Sequence, residues 1–214
     1  MKNSKKDSQY LLIVLNTTGF VQYKQLTEAT LKYAPYIMEM STLVSDRLLK
    51  VYRQPSLPEG VSISHGAKKF HGLAGKGKDD RAETIQYLAN AIQIYDGLIC
   101  HGGEFVVNVL KGEFMREGHT KALNKLATLP IYDTMLVHSD DGLLNYKKLE
   151  ELYTLFTGKK PPSNIHSTEG RLDMLLEVWE SGVRGKGISG KDSDGQGNGI
   201  SSIDKEGKER EEEK

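Results

Sequence analysis

The first strong apolar signal in the chain is the run LLIVL at 11–15, which is followed by the turn-forming stretch NTTG. A continuous apolar run of this length predicts a strand that is buried on both faces, in the centre of a sheet. Further strands are predicted at 36–44, 48–54 and 97–100.

Apolar residues recur at helical spacing within 81–94, namely Ile85, Leu88, Ala89 and Ile92. Three more helices are predicted: one after the turn at 101–103, one at 149–156 and a last one at 168–180. A short extended segment at 130–133 lies between the first two of these. Strands that alternate with helices are typical of a mixed α/β sheet.

Charged residues make up 27% of the 214 residues, and the 29 basic and 29 acidic side chains cancel. This composition is typical of a globular protein, and the length fits one domain and a tail. A net charge of zero argues against non-specific coating of nucleic acid, which depends on a strongly basic surface. The single cysteine, Cys100, excludes a disulfide framework and a zinc site built from cysteines.

The chain divides into an N-terminal extension at 1–9, a domain at 10–182 and a tail at 183–214. The tail consists mainly of Gly, Ser, Asp, Lys and Glu, so burial cannot offset its ordering entropy and we predict that it is disordered. The apolar run at 11–15 is too short for a signal peptide or a membrane span. We therefore expect a protein without a membrane partner that works inside the cell, in the cytoplasm or the nucleus.

Three motifs occur in the order LLIVLNTTGF, ICHGGEFVVNVL and NIHSTEGRLDML. Their order and spacing resemble those of the DEDDh 3′–5′ exonucleases, the family of proofreading subunits and RNase T-like trimming enzymes. The shorter stretches FHGLAGK and YDTM add to the resemblance, which covers roughly 10–182. It implies a ribonuclease H-like fold, in which helices flank a mixed central sheet.

Members of that family use four carboxylates to hold two divalent cations, and the first motif normally supplies two of these acids. Matching Thr17-Thr18-Gly19 to the family's Thr-Thr-Gly puts Val14 and Asn16 at the two acidic positions. A turn shortened by two residues instead puts Asn16 and Thr18 there. Neither alignment supplies a carboxylate, and both alignments remain open.

The other two motifs also depart from the family pattern. Phe105 matches the family's phenylalanine, so Val106 stands at the third acidic position. His166 matches the general-base histidine, and Arg171 stands where the fourth acid is expected. Magnesium prefers oxygen ligands and loses its water reluctantly, so we expect no metal cofactor at such a site.

The resemblance therefore predicts an inactive exonuclease-like protein that binds a single-stranded nucleic-acid end or a nucleic-acid-processing complex. The candidate nucleic-acid-binding residues are Thr17, Thr18, Phe105, His166 and Arg171. The family's carboxylates all reach one metal pair, so Asn16, Val106 and Arg171 are expected within about 10 Å of one another at the C-terminal end of the central strand.

Two alternatives stay open for the whole chain. One is an active exonuclease that binds Mg²⁺ or Mn²⁺ through Glu104, Glu169 and Asp173, and the other is a structural subunit without nucleic-acid contact. Locally, Arg171 either binds a phosphate or pairs in water with Glu169 or Asp173. Asp133 is interpreted as a turn or helix cap rather than a catalytic acid.

Overall fold

The computed structural model describes residues 8–23, 25–44, 49–136 and 147–183. The predicted extension at 1–9 and the predicted tail at 183–214 lie outside these residues, apart from residues 8, 9 and 183. None of the described helices is long and apolar enough to cross a bilayer.

The described residues form a five-stranded mixed sheet in the order β3-β2-β1-β4-β5. Its strands are β1 (Tyr10–Thr17), β2 (Ile37–Val44), β3 (Lys50–Arg53), β4 (Gly97–Cys100) and β5 (Ile131–Asp133). β2 pairs with both β1 and β3 in antiparallel orientation, whereas β1 pairs with β4 and β4 with β5 in parallel orientation. The predicted central position of the first strand is therefore confirmed.

Helices cover both faces of the sheet, which explains the continuous apolar run of β1. They are α1 (His65–His71), α2 (Arg81–Ile94), α3 (Gly103–Arg116), α4 (Thr120–Leu126), α5 (Leu149–Thr157) and α6 (Thr168–Val178). Successive side chains of a strand point to opposite faces. Leu11 and Ile13 accordingly belong to a core with α2, α3 and α4, while Leu12 and Val14 belong to a second core with α5 and α6.

The predicted α/β class and the predicted strands and helices are confirmed, but three short elements were missed. They are α1, α4 and a 3₁₀ turn at Leu31–Tyr33. α1 buries only Ala67, so it lacks an apolar stripe that would mark it in the sequence. Its boundaries come from local chemistry, because Ser64 caps its first turn and Gly72 ends it at a left-handed φ of 71°.

A buried ion cluster ties β2 to the helices on one side of the sheet. The Glu113 side chain is 0% exposed and forms ion pairs with Arg81 and Arg116. Its other carboxylate oxygen accepts the backbone N–H of Ile37 at 2.6 Å. Both guanidinium groups lie over the ring of Tyr36, 4.7 and 3.7 Å from its centroid. The cluster thus fixes where β2 begins.

Candidate functional site

A cavity of about 480 Å³, which we call the β1 cavity, lies beside the second half of the central strand. Its lining is mostly apolar: Ile13, Val14, Leu15, Phe20, Phe70, Phe105, Val106, Met135 and Leu149. The polar lining residues are His101, Lys147, Lys148, Glu150 and Arg171. A smaller cavity of about 180 Å³ shares part of this wall and is lined in addition by Asn16 and Thr17.

The structure brings together positions from all three motifs at which the resemblance expects acids. Val14, Val106 and Arg171 line the β1 cavity, and Asn16 contacts Arg171 directly. Thr18, the acidic position of the second alignment, lines a separate groove with Tyr36 instead. The first alignment is therefore the one whose positions all lie on this cavity or contact its lining.

The Asn16 side chain at the end of β1 forms hydrogen bonds with three residues, and Asn16 is only 3% exposed. Its amide nitrogen donates to the carboxylate of Glu39 at 2.5 Å and to the carbonyl of His166 at 3.1 Å. Since an ionised carboxylate can only accept, this contact fixes the amide nitrogen towards Glu39. The amide oxygen consequently faces Arg171, whose Nη2 donates to it.

Arg171 extends from α6 across the end of the central strand. Besides Asn16, its Nη2 donates to the carbonyl of Leu15 at 3.1 Å, and its guanidinium carbon lies 5.3 Å from the centroid of the Phe70 ring. Asp173 pairs with Lys50 instead, and no described ion pair includes Arg171. The interpretation that Arg171 pairs with Glu169 or Asp173 in water is therefore wrong.

The Arg171 side chain is partly buried but keeps its positive charge. Burial lowers the pKa of Arg171 to about 10, while the negative charges of Glu39 and Glu150 oppose that shift. At neutral pH the guanidinium is therefore protonated. Tyr52 lies beside Glu39, and burial together with the negative charge of this carboxylate raises the pKa of Tyr52 to about 12.

Sequence analysis missed Glu39, which is 4% exposed and lies directly opposite Asn16 in the β1–β2 ladder. The signal for it was a single acid inside the otherwise uncharged strand β2. A buried carboxylate requires partners, and here the Asn16 amide donates to it and Tyr52 lies beside it. The strand pairing, which the sequence does not reveal, decides which partners these are.

The two threonines of the turn use their hydroxyl groups within the protein. Thr17 donates to the carbonyl of Gly19 at 2.7 Å, and Thr18 accepts the backbone N–H of Tyr36 at 3.0 Å. Both threonines are 6% exposed. Their placement favours a structural role in shaping the turn.

Aromatic side chains surround the mouth of the β1 cavity. Phe20 is 66% and Phe70 is 43% exposed, and half-buried Phe105 completes the aromatic lining. The exposed His166 ring lies edge-on to Phe70 at 5.4 Å. Phe20 and Phe70 were not predicted as site residues, because Phe20 lies in a loop and Phe70 in the short helix α1, where no periodicity marks them.

Asp133 holds the chain beside two residues that line the β1 cavity, His101 and Met135. Its carboxylate accepts the backbone N–H groups of Gly102 and Met135 at 2.9 Å and of Gly103 at 2.5 Å. The contact with Met135 closes a local turn and the contacts with Gly102 and Gly103 cap the start of α3, which agrees with the interpretation of Asp133 as a turn or helix cap. The neighbouring His101 bonds Thr134 at 2.9 Å, and burial lowers the pKa of His101.

Replacing Asp133 by alanine should lower the free energy of unfolding by about 1–3 kcal/mol, because three backbone donors lose their acceptor. Chemical denaturation of the two proteins measures the difference. Glu59→Ala, which removes an exposed carboxylate, is the matched control and should have little effect. Equal effects of the two substitutions would contradict the capping role.

The acids proposed as substitute metal ligands do not line the β1 cavity. Glu104 and Glu169 are exposed, and Asp173 pairs with Lys50. Within the described part of the chain, no three His, Cys, Asp or Glu side chains gather in an arrangement that would hold a metal ion.

Several solved structures with a similar fold are exonucleases. An E. coli exonuclease I complex with single-stranded DNA superposes with a TM-score of 0.60 at 10% identity, over 82% of this chain and 40% of that chain. Product-bound exonuclease I gives a TM-score of 0.58 at 12% identity, over 84% and 45% of the two chains. The chain has an exonuclease fold. It spans less than half the length of exonuclease I.

The same exonuclease fold is found in a 3′-exonuclease that recognises the stem-loop of histone mRNA. That structure superposes with a TM-score of 0.53 at 9% identity, and the match covers 82% of this chain and 83% of that one. The sequence matches no protein-family model, and no curated protein matches it significantly.

Proposed function

We propose that this protein is a catalytically inactive DEDDh-type exonuclease domain that binds the 3′ end of a single-stranded nucleic acid. The observation that carries the proposal is the Arg171–Asn16–Glu39 network, which lies among the positions where the resemblance places the metal-binding acids. Such a function places the protein inside the cell, in the cytoplasm or the nucleus.

The donor set at this position does not fit a pair of divalent cations. Val14 and Val106 offer no oxygen ligand, and the amide oxygen of Asn16 already accepts from Arg171. Hard cations such as Mg²⁺ and Mn²⁺ require several oxygen ligands, and a protonated guanidinium repels them. The carboxylate of Glu39 is buried and accepts a hydrogen bond from Asn16.

The cavity itself suits a nucleic-acid end. Exposed aromatic rings can stack on bases regardless of sequence, and Phe20 and Phe70 lie at its mouth. The apolar lining extends inwards to Val14 and Val106, where it suits a base rather than a metal-bound phosphate. The similar structures include nucleases bound to single-stranded DNA and to an RNA stem-loop, which supports a nucleic-acid ligand of this class.

Fluorescence anisotropy with short labelled single strands of DNA and RNA tests this proposal. We expect binding to be equal in EDTA and in magnesium, because no ligand-held metal takes part. Binding should also require a free 3′ end, so a circular strand of the same sequence is the control. Failure to bind either strand would favour the alternative of a structural subunit, whereas binding only in magnesium would favour an active metal-dependent enzyme.

A further inference from the structure

We infer that the Arg171 guanidinium binds one backbone phosphate of the strand directly, so that a fixed side-chain cation holds the uncut backbone in place of metal ions. This inference rests on the proposed function and adds the group that recognises the backbone. The family pattern does not supply it, because an acid is expected at position 171.

Arg171 has hydrogen-bond donors that no described residue uses. A guanidinium carries five N–H donors, and only those of Nη2 are engaged, by Leu15 and Asn16. Among the described residues nothing accepts from Nε, which is buried, or from Nη1. Nη1 is not among the buried unpaired atoms, so part of its surface is exposed, and Arg171 lines two cavities.

The Arg171 guanidinium is held in a fixed position. Asn16, Leu15 and the Phe70 ring hold the guanidinium in place. Because Asn16 is neutral, it orients Arg171 without cancelling its charge, as an aspartate at that position would. Glu39 lies behind Asn16 and fixes the orientation of its amide. A preorganised cation loses less conformational entropy on binding than a free side chain does.

The surroundings of Arg171 indicate the class of ligand. The cation lies in a cavity whose other walls are mainly apolar and aromatic, with exposed Phe20 and Phe70 at the mouth. A single strand presents bases and phosphates in alternation, which matches aromatic surfaces next to one guanidinium. An isolated inorganic anion would leave the aromatic surfaces unused.

Four oligonucleotides that differ in one linkage test the inference on the unaltered protein. One is fully charged, and each of the others carries a neutral methylphosphonate at one of the last three linkages before the 3′ end. Anisotropy is measured in EDTA. We expect one neutral position to weaken binding by roughly tenfold to a hundredfold, which is typical of a charge-assisted hydrogen bond, and the others to have smaller effects.

The variant Arg171→Met then assigns that effect to the guanidinium. It should bind the fully charged strand and the critical methylphosphonate strand equally, because the contact is absent in both complexes. Lys159→Met is the matched control: it removes one cation that pairs with Glu177 and does not line the β1 cavity, and it should retain the discrimination.

The outcomes separate the inference from the proposed function. If the unaltered protein binds strands but discriminates against no single neutral linkage, the inference is wrong and the proposed function survives. The same holds if Arg171→Met still discriminates by the original factor. If the unaltered protein binds no strand at all, the proposed function fails and the inference falls with it.

Discussion

Replacing Glu113 by alanine should lower the free energy of unfolding by about 3–5 kcal/mol, which is the usual effect of removing one partner of a buried ion pair. The substitution leaves Arg81 and Arg116 close together without their shared counter-ion. It also leaves the backbone N–H of Ile37 without an acceptor at the start of β2. For a domain of this size we expect a large loss of thermal stability.

Chemical denaturation monitored by the single tryptophan measures this loss. Glu177→Ala is the control, because its carboxylate is 36% exposed and pairs with exposed Lys159. A surface pair of this kind contributes about 0–1 kcal/mol, so the two glutamates should differ clearly. A Glu113→Gln variant keeps an acceptor for Ile37 but not the charge, and it should therefore fall between alanine and the unaltered protein. Similar effects for Glu113→Ala and Glu177→Ala would show that the cluster does not stabilise the fold.

The elements that the sequence predicted are those with a strong apolar pattern. β1 is a continuous apolar run because it is buried on both faces, and α2 buries a regular stripe against the sheet. α1 and α4 were missed because they bury one and two residues respectively, too few to establish a period. Their formation depends on caps and on packing against a sheet that is already in place.

The candidate site was predictable only in its positions. The order of the motifs indicated which residues would meet, and Val14, Val106 and Arg171 do line one cavity. The partners of Arg171 were not predictable, because Asn16 and Leu15 reach it only after β1 packs beside α6. Glu39 joins this network through the β1–β2 register, which a sequence pattern does not specify.

The proposed function predicts its largest effect on the rate of 3′ trimming. In the exonuclease family the metal ions activate the water and stabilise the leaving oxygen, so the rate without them should be lower by many orders of magnitude. The resemblance places Val14, Asn16, Val106 and Arg171 at the equivalent positions, so the proposed function leaves His166 without a metal-bound water to activate. We therefore expect the bound strand to remain intact.

The decisive measurement is a single-turnover assay in manganese, with protein in excess over a labelled single strand and with binding verified in the same tube. The proposed function predicts that the strand keeps its full length while it stays bound. Trimming that persists unchanged in the Glu104→Ala and His166→Ala variants would identify a contaminating nuclease. Manganese-dependent shortening from the 3′ end that is lost in either variant would contradict the proposed function and show that the protein is an active exonuclease.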